Sequence, residues 1–182
     1  MPNINNKDIE SSIINCAKDL FIQRGYEKVD MKLIAKKCNL PIGTVFNYFP
    51  NKSKIYMKLL EDSWNYTFNR IKKLNSLDAN LRIGNLIEIL YDDMCSRKIF
   101  NTESINLDLL KKQNDYVINS IAHIINSFEH NPKDIVNYLY STTFVKAILD
   151  YINELITNSH SSRKENLNLL AIFVNKLMSN KF

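Results

Sequence analysis

Apolar residues recur at spacings of three and four from one end of the chain to the other, and no segment alternates strictly as a half-buried strand would. The pattern predicts an all-α protein. Over residues 7–23, Ile9, Ile13, Cys16, Ala17, Leu20 and Phe21 fall on one helical face, and Gly25 follows as a C-cap. Asp30 is placed to cap a short second helix, in which Met31, Ile34, Ala35 and Cys38 share a face. Pro41, favourable as a first helical residue, opens a third helix that runs to about Tyr48. Two short helices joined by about three residues form a helix-turn-helix.

Phe49-Pro50-Asn51 breaks the third helix, and a long one over 52–75 carries Tyr56, Leu60, Trp64, Phe68 and Ile71 along one side. A clean stripe of Ile83, Leu86, Ile87, Leu90, Tyr91 and Met94 marks the next helix, 79–97. A shorter segment near 103–112 and a helix near 114–130, with Val117, Ile121, Ile124, Ile125 and Phe128, come before the break at Asn131-Pro132. The helix over 132–157 is apolar around most of its circumference, which predicts burial on two sides, one of them against a partner. The last helix, 163–180, has Leu167, Leu170, Ala171, Val174, Leu177 and Met178 on one face. The expected architecture is about nine helices. Residues 1–51 form a three-helix domain, and residues 52–182 form a larger helical domain.

Charge sharpens this division. Residues 1–56 hold nine Lys/Arg against five acids, a net of +4, and the rest of the chain holds fifteen against fourteen. Nearly all of the overall +5 therefore sits on the small N-terminal module, the footprint expected where a polyanion docks. No apolar run approaches the roughly 20 residues needed to span a bilayer, and Met1 to Glu10 lacks the apolar core of a signal peptide. A cytoplasmic protein is expected. Cys16, Cys38 and Cys95 are odd in number and widely spaced, and read as reduced residues of the core.

The motif Ile13-x3-Ala17-x2-Leu20-Phe21-x3-Gly25-Tyr26-Glu27, then Ile34-Ala35, then Gly43-Thr44-Val45-Phe46-Asn47-Tyr48-Phe49-x2-Lys52, resembles the N-terminal domain of the TetR/AcrR family of bacterial transcriptional regulators. The resemblance implies a homodimer that binds double-stranded operator DNA of near-palindromic sequence, most often as a repressor released by a small-molecule effector. It covers residues 9–56; beyond them only the general plan of further helices is similar, and it implies that residues 52–182 form a ligand-binding and dimerisation domain.

Within that reading Gly43 removes a side chain where backbone approaches DNA, Thr44 reaches a phosphate or a thymine methyl, and Asn47 has the donor and acceptor pair that matches adenine. Ile42 and Phe46 favour thymine methyls over hydrogen-bonding edges. Tyr48 and Lys52 would clamp a phosphate, whereas Leu40, Val45 and Phe49 have spacing suited to the core. Three positions depart from the family pattern: Asn39 stands where Gly is usual, Pro41 where Ser is, and Asp30 where Thr is. Asn39 tolerates a left-handed turn, but phosphate contacts at the other two positions do not carry over.

An enzyme would need a constellation that is absent. The chain has no glycine-rich phosphate loop, no His-Glu-x-x-His, no Cys-x-x-Cys and no nucleophile elbow, and His123 and His130 have no third metal ligand. No cofactor or metal is expected. Effector-pocket candidates are Trp64, Phe68, Tyr91, Met94, His123, Tyr140 and Phe144, which combine aromatic surface with a few polar tips. Dimer-interface candidates are Leu139, Ile148, Ile152, Leu167, Leu170, Val174 and Leu177. The alternative to a regulator is a helical, dimeric interaction protein that has lost specific DNA binding, a reading for which Asp30, Pro41 and Ile42 speak.

Overall fold

A computed structural model of the chain describes residues 6–97, 107–128, 135–158 and 161–179. Among these residues there are eight α-helices and no strand: α1 (Asn6–Arg24), α2 (Met31–Cys38), α3 (Ile42–Tyr48), α4 (Lys52–Lys72), α5 (Ala79–Arg97), α6 (Leu107–Asn126), α7 (Ile135–Asn158) and α8 (Arg163–Ser179). A 3-10 turn, Lys73–Ser76, follows α4. The two segments expected near 103–112 and 114–130 differ from this. Residues 107–126 are one helix, because Lys111 to Asp115 contain neither Pro nor Gly to interrupt the backbone bonds. Residues 103–106, 129–130, 131–134 and 180 lie outside the described part.

The chain divides into two compact units between Trp64 and Asn65, inside α4. In the first, local chemistry sets each helix end. Gly25 takes φ +77°, and its N–H bonds to the Phe21 carbonyl at 2.9 Å, ending α1 as a residue without Cβ can. The Asp30 carboxylate accepts the Leu33 N–H at 2.7 Å and caps α2. Asn39 adopts the left-handed conformation at φ 56°, ψ 42°, its N–H directed at the Ala35 and Lys36 carbonyls, so this turn forms without glycine. Pro41 precedes α3 rather than opening it. With φ −57° and ψ 139° it is extended, and its carbonyl accepts the N–H groups of Thr44 and Val45. Asn51 caps α4 through the Lys54 N–H at 3.0 Å.

The core of this unit is Ile13, Ala17, Leu20, Phe21, Tyr26, Val29, Ile34, Val45, Ile55 and Tyr56, all buried. Phe21, Tyr26 and Tyr56 meet pairwise at ring-centroid distances of 5.5, 5.7 and 5.2 Å, the separations of tilted and edge-on aromatic pairs.

In the second unit α7 packs on α5, α6 and α8, and α5 also packs on α8. Its neighbours within the chain therefore cover much of the apolar circumference from which a partner was expected. Ile148, Ile152, Leu170 and Val174 are at most 1% exposed inside a single chain, so they are core residues and not a dimer surface. Leu167 and Leu177 are half-buried, and the side chain of Leu139 lies outside the described part.

Polar ties fix the register of these helices. Asn166 donates to the Tyr91 hydroxyl at 2.9 Å, and Ser141 donates to the side-chain Oδ1 of Asn126 at 2.6 Å. Arg163 grips Asp92 through two bonds of 2.8 Å, which hold the Asp92 carboxyl below its usual range. Ser162 and Glu165 form a reciprocal cap on α8, in which the Ser162 N–H reaches the carboxylate at 2.7 Å and the Glu165 N–H reaches the hydroxyl at 3.4 Å.

Between α4 and α5 lies a charged cluster. Asp93 accepts from Thr67 at 2.8 Å and from Arg70 at 2.5 Å, and Arg97 donates to the fully buried Thr67. Burial lowers Arg97 to about 10, with the Asp93 charge opposing, so the guanidinium stays protonated at neutral pH. Asp93→Ala is expected to remove the carboxylate that Thr67 and Arg70 share and to lower unfolding stability by about 2–4 kcal/mol. Urea denaturation checks this, with Arg163→Ala in the exposed pair as a variant of much smaller effect.

Candidate nucleic-acid interface

Helix α3 is seven residues long and divides cleanly into two faces. Val45 and Phe49 are buried, 0% and 7% exposed, and hold it to its unit. Ile42, Gly43, Phe46 and Asn47 are exposed, and the positions i, i+1, i+4 and i+5 place all four on one side. Thr44 and Tyr48, also four apart, are half-buried at its edge. Six of the seven residues expected to touch DNA are thus gathered on this short helix.

Two apolar side chains in water are unusual on so small a helix: Ile42 is 38% exposed and Phe46 48%. Gly43 has no intramolecular reason to be glycine, since a Cβ there would meet nothing within 4 Å and its φ is not positive. Its chemistry suits a surface that something else approaches closely. Lys36 and Lys37, exposed in the last turn of α2, add positive charge where cations also favour the helix dipole. In the sequence these two lysines stood only in the charge count.

Lys52, the seventh residue, is committed elsewhere. Its ammonium donates to the Tyr26 carbonyl at 2.9 Å and approaches the Glu27 carbonyl at 3.4 Å, while lying 4.2 Å from the centroid of the Tyr26 ring. The Tyr26 hydroxyl in turn reaches Ser53 at 3.3 Å. Lys52 therefore ties the start of α4 to the loop after α1. The signal for this was present in the motif, where Tyr26 and Lys52 both occur, but spacing along the chain does not show that they meet.

The effector candidates are only partly brought together. A cavity of about 290 Å³ in the second unit is lined by Asn65, Phe68, Asn69, Lys72, Tyr116, Ser120, His123 and Ile124. Phe68 and His123 belong to it. Trp64, Tyr91, Met94 and Phe144 do not line it, and the side chain of Tyr140 lies outside the described part. Tyr91 is 6% exposed with its hydroxyl bonded to Asn166, and burial raises its pKa, so it reads as a core residue with a satisfied polar end. Phe68 forms an edge contact with Tyr116 at 6.0 Å. Sequence periodicity did not single out Tyr116 because, at 48% exposed, it lies off the apolar stripe of α6.

A capped helix, a left-handed turn and a second short helix with an exposed face define this N-terminal unit as a helix-turn-helix domain. Residues 13–58 match the family described as bacterial regulatory proteins, tetR family. It is 30% identical over 96 residues to the HTH-type transcriptional regulator YuxN of Bacillus subtilis, covering 52% of this chain and 33% of that protein. The chain thus spans about a third of YuxN. It is 23% identical over 167 residues to IcaR of Staphylococcus epidermidis, the HTH-type negative transcriptional regulator of the biofilm operon icaADBC, covering 91% of this chain and 80% of IcaR. The fold is shared with the TetR-family repressor FadR of Thermus thermophilus, solved in complex with lauroyl-CoA, at TM-score 0.67 and 15% identity over 93% of this chain and 94% of that one.

Lys52→Ala is expected to lower stability by about 1–2 kcal/mol, because it removes a charge-assisted bond and a cation–π contact. Thermal melting of the variant checks this. An unchanged melting temperature would return Lys52 to the role of a free phosphate ligand.

Proposed function

We propose that the protein is a homodimeric transcriptional regulator, acting in the cytoplasm, that binds a near-palindromic DNA operator through α3 and is released from it by a small-molecule effector. The observation that carries this reading is the exposed face of Ile42, Gly43, Phe46 and Asn47 on a helix whose opposite face is buried. In the major groove Asn47 pairs with adenine, Ile42 and Phe46 meet thymine methyls, and Thr44 and Tyr48 reach phosphates. That IcaR is named a negative regulator, and that FadR was solved with an acyl-CoA, supports repression and an effector.

Dimerisation in this reading uses the outer face of α8 in place of the residues assigned to the core. Leu169 is 41% exposed and Ile172 56%, and beside them the half-buried Phe173 meets the Tyr151 ring at 4.5 Å. Two-fold symmetry then presents two recognition helices to two inverted half-sites. The effector site is the cavity lined by Phe68 and His123. Because α4 carries both Phe68 and Lys52, a ligand that prefers one position of this helix biases the DNA module, and the coupling must be reciprocal.

Selection of duplexes from a random pool is expected to enrich paired inverted half-sites. Asn47→Ala should relax discrimination at one base pair of each half-site, at a cost of about 1–3 kcal/mol. Loss of affinity spread evenly over all sequences would remove Asn47 from base recognition, and no enrichment at all would favour the interaction-protein reading. By sedimentation, Ile172→Glu should convert dimer to monomer. A wild-type chain that is already monomeric at micromolar concentration would contradict the dimer.

A further inference from the structure

Cys16 and Cys38 are 22 positions apart in the sequence, and the fold brings them together. Cys16 lies on α1 and Cys38 is the last residue of α2, and these helices pack on each other. The Cys38 sulfur lies 3.9 Å from the carbonyl oxygen of Ser12, one helical turn before Cys16 on the same face of α1. Both cysteines are half-buried and so within reach of small reagents, and the charge of Cys16 is felt at Cys38. Neither thiol has a part in the proposed DNA contact.

We propose that Cys16 and Cys38 form a reversible disulfide that ties α1 to the end of α2 and lowers the affinity of the helix-turn-helix for DNA. The linkage itself is independent of the DNA reading; its effect on affinity rests on that reading. The two sulfurs must close to about 2.05 Å when bonded, which pulls the last residue of α2 toward α1. The next residue is Asn39, whose left-handed turn sets the direction of α3. A displacement there is passed directly to the exposed face of Ile42, Gly43, Phe46 and Asn47.

The oxidant is a low-molecular-weight disulfide. The Cys16 thiolate attacks one sulfur of the reagent, forming a mixed disulfide and expelling one reagent thiolate, which takes up a proton. Cys38 then loses its proton, attacks the Cys16 sulfur, and expels the second reagent thiolate. Two protein thiols are oxidised to one disulfide, and one reagent disulfide is reduced to two thiols. The order follows from the environment of Cys38, whose thiol is raised to about 12 by burial first and then by the hydrogen bond and charge of Cys16. Once Cys16 is in the mixed disulfide, its charge is gone and Cys38 is free to ionise more readily.

The test treats the reduced full-length protein with oxidised glutathione, maps the linkage by mass spectrometry after alkylation, and measures affinity for a duplex selected by the reduced protein. The expected result is loss of two of the three thiols to a Cys16–Cys38 link, with Cys95 still alkylated. Affinity should fall about tenfold or more, the scale of one lost base contact, and return with dithiothreitol. Cys16→Ser and Cys38→Ser should bind DNA without responding to the oxidant. A stable mixed disulfide, or linkage through Cys95, overturns the proposal, and so does a Cys16–Cys38 link that leaves affinity unchanged. A reduced protein with no affinity for any duplex removes the DNA reading and, with it, the effect on affinity, while the mapped linkage still decides the disulfide.

Discussion

A helix of seven residues cannot hold itself. Nucleating a helix costs more than so few backbone bonds return, and α3 has no side-chain hydrogen bond at its N-cap. Its position is imposed from outside, by Val45 and Phe49 inserted into the core, by the Pro41 carbonyl that accepts the Thr44 and Val45 N–H groups, and by the left-handed Asn39 that aims the chain. The remainder of the N-terminal unit supplies this support. Lys52, Tyr26 and Ser53 pin the start of α4 to the loop after α1, and Phe21, Tyr26 and Tyr56 fill the space between. With its inner face so held, α3 can leave Ile42, Phe46 and Asn47 in water, where an isolated monomer gains nothing from them. That is the arrangement a reading head requires.

The second unit is organised differently, around polar contacts inside an apolar bundle. The Thr67, Arg70, Asp93 and Arg97 cluster joins α4 to α5, and Tyr91 with Asn166 joins α5 to α8. Each such group must be satisfied once buried, which makes these contacts more specific about helix register than aliphatic packing is. The cavity between α4 and α6 lies beside this framework, on the same helix that begins with Lys52.

The parts of the fold legible in the sequence are those fixed by local chemistry. Gly25, Asp30, Asn39 and Asn51 mark helix ends through conformations and caps that involve only a few consecutive residues. Six residues read as DNA candidates lie on one short helix for the same reason. What depends on tertiary packing was not legible. An apolar stripe says that a face is covered and not by what, so Ile148, Ile152, Leu170 and Val174 read as an interface although the chain buries them itself. Charge at a helix start suggested a phosphate ligand in Lys52, whose partner is a carbonyl 26 residues away. Cys16 and Cys38 seemed unrelated core residues because nothing in their spacing announces that α1 and α2 cross there.

In the proposed function α3 is the surface that meets DNA. Amide hydrogen exchange of the full chain, with and without a duplex it has selected, tests this most directly, because protection reports contact without requiring any variant to fold. Slowed exchange is expected in peptides covering residues 41–48 and the adjoining turn at Asn39. Unchanged exchange there, with protection appearing instead on α5 to α8, would contradict it.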